Sequence, residues 1–379
     1  MPKATIIVLS VVGGILILGA VYLTLAPPAI DIRPQEFTQP KLVDDMMDDM
    51  KGEDPTLPVL QPSMPAFKGI TQWWNTPNNE PLTREDLKGK VTMIKFWTYS
   101  CINCIRTYPY VKSWHENYAD DGFVLVGVHT PEFDFERKPE NVEREIREND
   151  FQFPVALDPS YQTWRNYENR FWPATYLFDA EGRLRYTHFG EGKYDETERA
   201  IQILLKEAGM TYDAEQTDLP ASNVDFSKIR TRETYFGYER AEGFVNASEA
   251  RIETEAEYEL NSVGSNQWSI GGSWRIEGER SVALGPGSIH RFSVQAPIYN
   301  IVLDAPEGTT AKIRVRQDGK ALTNEMLTND TVRDANGDAI IEVGPSRLYR
   351  IMNIPNANRH TVEIEVLEGE VRFYAATFG

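Results

Sequence analysis

Two continuous apolar runs in the first half of the chain predict buried strands. They are Val91–Trp97 and Phe123–His129, and both are rich in β-branched and aromatic residues. A stretch with helical periodicity separates them and ends near Asp121 and Gly122. An order of strand, helix and strand is typical of an α/β unit with a parallel pair of strands.

The segment that follows continues this alternation of helices and strands. Residues 139–149 carry apolar side chains on one face and predict an amphipathic helix. Residues 175–178 and Leu184–Phe189 flank the turn sequence Asp-Ala-Glu-Gly and predict an antiparallel hairpin. A last helix is expected at 196–208. The pattern therefore predicts an α/β domain at 58–212, with a mixed sheet covered by helices.

The pattern changes after a polar segment at 213–232, which we interpret as a linker. Apolar and charged residues alternate strictly at 312–316 and 362–366, and turn sequences with Gly, Pro or Asn recur between such stretches. A helical period is almost absent there. Residues 233–379 are therefore expected to form an all-β sandwich with a jelly-roll-like architecture.

The N-terminal region carries an apolar run long enough to span a bilayer. Residues 6–26 contain no charged residue, Lys3 precedes them, and acidic residues follow. Because two prolines come directly after the run, signal-peptide cleavage is disfavoured, and we expect residues 1–26 to be a retained anchor with the bulk of the chain outside. Residues 27–57, rich in proline and acidic residues, predict a tether.

Length and charge narrow the classes of function. A chain of 379 residues can build two hydrophobic cores. Its formal net charge of -18 argues against nucleic acid and anionic membrane surfaces as partners. With only two cysteines, both needed for one pair, the chain has no further disulfide to stabilise its fold.

These two cysteines, Cys101 and Cys104, stand in the sequence Cys-Ile-Asn-Cys between the first apolar run and a predicted helix. A zinc site needs about four ligands, and no second Cys or His pair is present to complete one, so neither a metal nor another cofactor is expected. At the first turn of a helix, free N–H groups and the helix dipole favour a thiolate. The pair predicts reversible thiol–disulfide exchange, with Cys101 as nucleophile and Cys104 as resolving thiol.

Three features around this pair resemble the thioredoxin superfamily. Phe96 and Trp97 precede the cysteines, Pro109 follows at the position of the helix-kinking proline, and residues 172–175 resemble the cis-proline segment with its proline at Pro173. The separation of Cys104 and Pro173 is longer than in a minimal thioredoxin and implies an inserted helix. This layout is similar to that of the TlpA/ResA-like membrane-anchored thiol reductases.

Further segments resemble the soluble C-terminal part of DipZ-type proteins, in which a thioredoxin-like domain precedes a carbohydrate-binding-module-like β-sandwich. The matching segments are 97–104, 129–133 and 188–192. The resemblance implies a thiol–disulfide oxidoreductase that reduces protein disulfides, held in a bacterial inner membrane and facing the periplasm or the cell exterior. DipZ-type proteins also carry a multi-helix, electron-conducting membrane domain. Since this sequence has one apolar span, a separate CcdA/DsbD-like electron donor is expected.

The resemblance also implies roles for side chains near the cysteines. Lys95 stands where thioredoxins have a buried Asp, and Glu132 aligns with a carboxylate that TlpA/ResA-type proteins keep near the pair. We hypothesise that Glu132 is the acid/base and Lys95 its partner across the sheet. The alternatives are an exposed loop carboxylate and a strand-end lysine that reaches solvent. Trp97 is expected beside the cysteines, and Trp172 is expected to narrow the substrate groove next to Pro173.

Two other functions stay open. The sequence Thr-Tyr-Ser-Cys at 98–101 is similar to the Thr-x-x-Cys of peroxiredoxins, although Ile94 stands where their motif has proline. Alternatively, the chain is an envelope protein that binds a glycan or a partner. Trp268, Trp274 and Tyr258 would then form a sugar-stacking platform. Burial in the core also explains these rings, and we favour it.

Overall fold

The computed structural model describes residues 56–214, 216–217, 219 and 224–379. The predicted anchor at 1–26 and nearly all of the predicted tether lie outside these residues. Within the described ranges, no helix is long and apolar enough to cross a membrane.

A six-stranded mixed sheet forms the centre of the first domain. Its strands are β1 (Gln72–Trp74), β2 (Val91–Trp97), β3 (Phe123–His129), β4 (Val155–Leu157), β5 (Ala174–Phe178) and β6 (Leu184–Phe189). They lie in the order β1-β4-β3-β2-β5-β6. Strand β3 pairs in parallel with β2 and β4, and the other pairings are antiparallel. The predicted mixed sheet is confirmed, and β2 and β3 have the bounds that the apolar runs predict.

Helices cover both faces of this sheet. They are α1 (Ile102–Ile105), α2 (Tyr108–Tyr118), α3 (Pro139–Glu148), α4 (Gln162–Asn166) and α5 (Tyr194–Glu207). Side chains alternate along β2, so that Met93 packs in one hydrophobic cluster with α2 and α5, whereas Phe96 packs in another with Trp164 of α4. Every residue of β2 is buried as a result. This explains why the strand reads as a continuous apolar run.

Helix α5 begins at Tyr194, slightly before its predicted start. The ring of Tyr194 stacks on Tyr110 of α2, with centroids 3.5 Å apart. Its apolar stripe, which includes Ile201 and Leu204, is completely buried against the sheet. The helix thus begins two residues earlier than the aliphatic pattern alone indicates, at a position where an aromatic contact is made.

The second domain is built from antiparallel strands. They are β7 (Thr234–Tyr235), β8 (Glu255–Tyr258), β9 (Trp268–Ile276), β10 (Ser281–Ala283), β11 (Ile289–Val294), β12 (Ile298–Asp304), β13 (Ala311–Gln317), β14 (Lys320–Ala321), β15 (Val332–Arg333), β16 (Ala339–Val343), β17 (Arg347–Asn353), β18 (His360–Glu368) and β19 (Val371–Phe378). The main path runs β15-β16-β13-β18-β11-β9-β10-β19-β12-β17, while β14, β7 and β8 pair with β13, β19 and β9. The two strictly alternating stretches form β13 and β18, which pair with each other.

Strand β9 connects the two halves of this sheet. Its first half pairs with β11 and its second half with β8 and β10. The change of partner occurs at Gly272, where φ is 84° and a Cβ would lie 3.0 Å from the Gly287 carbonyl oxygen. His290 of β11 stacks on Phe373 of β19, with centroids 5.1 Å apart. Side chains from both halves therefore share one core.

The aromatic residues considered for sugar stacking lie inside this domain. Trp268 and Trp274 have no exposed surface, and Tyr258 is buried as well. The indole N–H of Trp268 donates to the Glu242 carbonyl at 2.9 Å, and that of Trp274 donates to the Gly271 carbonyl at 2.9 Å. Their ring faces and polar atoms are occupied, in agreement with the core interpretation.

The second domain packs against the loop that follows β3. The ring of Tyr374 on β19 lies 5.3 Å from that of Phe133 and 4.8 Å from that of Phe135. Leu348 and Val302, from β17 and β12, join the hydrophobic cluster of the first domain. The loop after β3 is thus enclosed between the two domains.

Candidate functional site

The two cysteines lie where the chain passes from β2 into α1. The carbonyl of Cys101 accepts a hydrogen bond from the Ile105 amide at 3.0 Å, so Cys101 caps the helix. Cys101 is partly exposed, whereas Cys104 has no exposed surface, and both thiols are free. This order of exposure suits a nucleophile followed by a resolving thiol. In the described part of the chain, no cluster of His, Cys, Asp and Glu could hold a metal ion.

The active-site helix is interrupted directly after the cysteines. Helix α1 ends at Ile105 and α2 begins at Tyr108, which places Pro109 in the first turn of α2. Proline lacks the N–H group that a helix interior requires, and the first turn does not need it. The Thr107 hydroxyl donates to the Cys104 carbonyl at 2.7 Å. The break found here is the kink expected from Pro109.

The cis-proline segment faces the nucleophilic cysteine. The peptide bond between Trp172 and Pro173 is cis, and the Trp172 carbonyl oxygen lies 4.0 Å from the Cys101 sulfur. The Trp172 indole donates to the Thr130 carbonyl at 3.0 Å and packs on Trp164 at 4.3 Å. A substrate that reaches Cys101 meets this segment, and the fixed indole forms part of its surroundings.

Lys95 is buried on β2, with 5% of its surface exposed. Its ammonium group donates to the Thr175 hydroxyl at 2.9 Å, on the neighbouring strand β5. Burial lowers the pKa of Lys95 to about 8, while negative charge on Cys104 and Cys101 acts in the opposite direction. This placement excludes a lysine that reaches solvent and couples the amine to the cysteine pair.

Glu132 contacts the second domain and not Lys95. One oxygen, Oε1, accepts hydrogen bonds from the Tyr235 hydroxyl at 2.7 Å and from Nη1 of Arg240 at 2.9 Å. The structure therefore does not form the pair between Glu132 and Lys95 that we hypothesised. The physical reason is that the second domain closes over the loop after β3 and supplies a cation and a hydroxyl of its own.

The environment of Cys101 differs from the expected stabilised thiolate. The hydrogen bond with Cys104 raises the pKa of Cys101 well above its usual range, and burial and the charge of Glu132 act in the same direction. Helix α1 spans only Ile102–Ile105, so its dipole offers little compensation. The thiol form of Cys101 is therefore favoured, and the reactivity of Cys101 depends on the charged groups around it.

Glu136 is a central residue of the site that the sequence did not reveal. It is completely buried, and Oε1 accepts hydrogen bonds from the amide and hydroxyl of Ser100 at 3.2 and 2.7 Å. Oε2 accepts from the amides of Glu132 and Phe133 at 2.6 and 3.0 Å. Burial raises its pKa. Glu136 thus fixes the residue before Cys101 relative to Glu132. Its spacing from Phe133 is that of a capping box, but the Ser or Thr that marks one is missing.

Arg106, directly after α1, is a second residue that the sequence did not single out. Its Nη1 donates to Glu191 at 2.7 Å and to Asn103 at 3.2 Å. Its Nη2 donates to the Phe378 carbonyl of β19 at 3.1 Å. The turn that contains the cysteines is therefore tied to both domains. An open cavity of about 300 Å³ adjoins this ion pair, lined by Glu191, Gly192, Tyr194 and Phe226.

Trp97 and Thr98 lie inside the core behind the cysteines. Trp97 belongs to the same hydrophobic cluster as Cys104, and its ring meets that of His129 edge-on at 4.9 Å. Burial lowers the pKa of His129 to about 3, so its imidazole is neutral. The Thr98 hydroxyl lies 3.5 Å from His129 Nε2 and has no exposed surface. The hydroxyl of the peroxiredoxin-like motif is therefore enclosed in the core.

Two family models match the chain. The AhpC/TSA family matches residues 62–187, and the family described as "Thioredoxin like C-terminal domain" matches residues 231–379. The two matches correspond to the mixed-sheet domain and the antiparallel domain.

Curated relatives agree with these matches. Protein DipZ of Mycobacterium tuberculosis is 36% identical over 296 residues, which cover 76% of this chain and 42% of DipZ. The chain thus spans less than half the length of DipZ. Thiol-disulfide oxidoreductase YkuV of Bacillus subtilis is 31% identical over 149 residues, which cover 39% of this chain and 97% of YkuV. Thiol-disulfide oxidoreductase ResA of Bacillus cereus is 25% identical over 118 residues, 31% of this chain and 65% of ResA.

The difference in burial predicts the order in which the thiols react. In reduced protein we expect iodoacetamide to modify Cys101, and we expect Cys104→Ala to accelerate this step because it removes the interaction that raises the pKa of Cys101. Cys101→Ala should leave Cys104 at least about tenfold slower, since that thiol is enclosed. Timed quenching and peptide mass spectrometry measure both rates, and similar rates in the two variants would contradict the assignment.

Proposed function

Because the chain belongs to the thioredoxin-like thiol–disulfide oxidoreductases, we propose that its Cys101–Cys104 pair reduces disulfide bonds in protein substrates. The observation that carries this proposal is the arrangement of Cys101, partly exposed, between a buried Cys104 and the carbonyl beside the cis proline Pro173. A polypeptide that places its disulfide at Cys101 would meet the Trp172 carbonyl of this segment. The same surface offers no comparable access to Cys104.

The exchange proceeds in two steps, formation of a mixed disulfide and its resolution. The Cys101 thiolate attacks one sulfur of the substrate disulfide, which forms a mixed disulfide and releases the other substrate sulfur as a thiolate that takes up a proton. Cys104 then loses its proton and attacks the Cys101 sulfur, which closes the Cys101–Cys104 disulfide and releases the second substrate thiol. Two electrons pass to the substrate, and an external donor must reduce the pair again.

We assign the proton of Cys104 to Lys95 in the second step. Since burial lowers the pKa of Lys95 to about 8, part of the population is neutral near physiological pH and can accept a proton. The ammonium that forms then attracts the Cys104 thiolate, and the Thr175 hydroxyl at 2.9 Å holds the amine in place. This role replaces the acid/base function that we first assigned to Glu132, whose carboxylate is engaged by Tyr235 and Arg240.

The surroundings of the pair favour the reducing direction. A strong oxidant stabilises its reduced form as a thiolate. Here Ile102 and Asn103 carry no positive charge, and the pKa of Cys101 is raised. The reduced state gains little from ionisation, so electrons pass readily to a substrate disulfide.

Location and electron supply complete the proposal. The apolar run at 6–26 would hold the enzyme in a bacterial inner membrane, with its domains in the periplasm or outside the cell. A CcdA/DsbD-like membrane protein would then supply electrons. We propose that the antiparallel domain is a jelly-roll-like sandwich that docks on the redox domain. Its Tyr374 packs on Phe133 and Phe135, whereas Trp268 and Trp274 are buried in its own core and do not form a sugar-binding surface.

The reduction potential of the pair tests the direction of transfer. We expect a value below about −220 mV, measured by tryptophan fluorescence of the full chain in defined thiol buffers. The variant with both cysteines replaced by alanine should show no transition. A value near about −120 mV would make the protein an oxidant and contradict the proposal. If no reversible redox transition is found, the cysteine pair is not a redox site, and the function must be sought in the antiparallel domain.

Peroxide turnover separates the reductase from the thiol peroxidase. We expect the reduced enzyme to reduce a protein disulfide such as that of insulin faster than it consumes hydrogen peroxide, because the Thr98 hydroxyl is enclosed. Both rates are followed by oxidation of the Cys101–Cys104 pair of the enzyme, measured by timed alkylation and mass spectrometry of the enzyme at equal oxidant concentration. Faster consumption of peroxide would support the alternative.

Replacement of Lys95 by methionine tests how the buried amine affects both stability and the rate of the second exchange step. The unfolded chain keeps this proton up to pH 10.5, whereas the folded chain releases it near pH 8, so the free energy of unfolding of the wild type should rise between these values and stay flat below them. Below pH 8 the folded protein bears the full free-energy cost of burying the charged Lys95. Lys95→Met should therefore stabilise the fold at pH 7, by on the order of 3 kcal/mol, and should slow the release of product from the mixed disulfide.

Urea unfolding at pH 7 and pH 10 and stopped-flow kinetics measure the two effects. Lys112→Met is the matched control, because the Lys112 amine donates to the Asn149 carbonyl at 2.8 Å on the outer side of α2. If the Lys95→Met enzyme closes its disulfide at the wild-type rate, Lys95 does not accept the proton of Cys104.

A further inference from the structure

The antiparallel domain places two side chains on Glu132, a carboxylate whose charge acts on Cys101. The Tyr235 hydroxyl and Nη1 of Arg240 both donate to Oε1 of Glu132, at 2.7 and 2.9 Å. The side chains of Arg240 and Glu132 are only 15% and 12% exposed. Such a shielded ion pair between domains is stronger than one on an open surface.

The position of Arg240 is fixed by its own domain. The Arg240 guanidinium lies over the Tyr235 ring, 3.7 Å from its centroid, and 5.2 Å from the centroid of Phe133. Tyr235 belongs to β7, which pairs with β19. The Arg240 amide donates to the Gly237 carbonyl at 3.2 Å, and a Cβ at Gly237 would come within 2.1 Å of the backbone of Glu279. The cation is therefore held by a tightly packed segment.

The hairpin between β9 and β10 makes a second contact with the loop after β3. A carboxylate oxygen of Glu279 accepts a hydrogen bond from the Asp134 amide at 3.0 Å. On the other side, Glu136 accepts from the Glu132 amide and from Ser100 directly before Cys101. A continuous path of hydrogen bonds thus leads from Arg240 through Glu132 and Glu136 to the turn that carries the nucleophile.

Charge follows the same path. The Glu132 carboxylate disfavours the Cys101 thiolate, and Arg240 supplies the opposite charge at 2.9 Å from that carboxylate. The titratable groups that act on Cys101 come from four elements: Cys104 on α1, Tyr108 on α2, Lys95 on β2 and Glu132 on the loop after β3. The groups that act on Glu132 include Arg240, Tyr235, Glu136 and the exposed Glu233.

We propose that Arg240 is a positioning residue of the redox site that the antiparallel domain supplies, because it holds Glu132 and neutralises its charge beside Cys101. The second domain thereby sets the reactivity of the nucleophile. This inference rests on the proposed role of Cys101 as the attacking thiol. It does not depend on the direction of electron transfer or on the identity of the substrate.

The test is the rate of Cys101 alkylation by iodoacetamide as a function of pH, in the reduced full chain. Arg240→Met exposes Cys101 to an uncompensated carboxylate, and we expect the rate at pH 7 to fall about threefold to tenfold, with the midpoint of the pH profile shifted upward. Arg240→Lys keeps the charge and should recover most of the rate. Tyr235→Phe removes one hydrogen bond without a charge and should have a smaller effect.

A second background separates charge from packing. In Glu132→Gln the carboxylate charge is absent, so adding Arg240→Met should change the rate by less than about twofold, although the same packing is lost. Arg347→Met is the matched control: Arg347 pairs with Asp330 at 2.7 Å and lies 3.7 Å from the Tyr349 ring centroid, with no contact to Glu132. It should leave the pH profile unchanged.

Two outcomes would overturn the proposal. One is an Arg240→Met profile that coincides with that of the wild type. The other is an equal fall in the rate in the Glu132→Gln background, which would reduce Arg240 to a packing residue. Failure of the proposed function is detected separately. In a protein that does not reduce protein disulfides, iodoacetamide can still alkylate Cys101 at a rate that depends on Arg240.

Discussion

The burial of β2 on both faces is the constraint on which the redox site depends. All of its residues are enclosed, and its two neighbours are fixed by regular registers, with Trp97 opposite His129 on β3 and Lys95 opposite Thr175 on β5. Because the strand cannot shift without exposing apolar surface, the turn that follows it is held in one position. The same registers bring the cis-proline segment, at the start of β5, to the cysteines. The geometry of the site is thus a consequence of packing in the sheet.

The site also contains buried charged groups, and these differ in how well they are compensated by their neighbours. Glu136 is satisfied by four hydrogen-bond donors, and Glu132 is neutralised by Arg240. Lys95, in contrast, is buried with one hydroxyl, that of Thr175, as its hydrogen-bond partner, and it senses the charge of the two cysteines. A buried ammonium with so little compensation destabilises the fold unless a negative charge forms next to it. The Cys104 thiolate is such a charge, and it exists only during the reaction. The charge of Lys95 is therefore compensated during the exchange and not in the resting enzyme.

Much of the fold follows from local sequence pattern, and the site does so only in part. Val91–Trp97 and Phe123–His129 become strands as expected because a doubly buried strand must be apolar throughout. The positions of Cys101, Cys104 and Pro173 follow from short motifs. The partners of Glu132 do not, because Tyr235 and Arg240 are more than a hundred residues away and belong to another domain. Glu136 is not predictable from the sequence for a different reason. A carboxylate in a charged stretch is expected to be solvated, and its burial here depends on the backbone turn at Asp134–Arg137.

The contacts between the domains show why the antiparallel domain is more than a spacer. Strand β19 and its neighbour β7 reach the redox domain at two places: the Phe378 carbonyl accepts from Arg106, and Tyr235 donates to Glu132. Arg106 follows the cysteines on one side, and Glu132 faces them from the other. Because one pair of strands holds both sides, a displacement of the second domain would move the CxxC turn and the Glu132 carboxylate together. A domain that served only for spacing would not need polar contacts with these two residues.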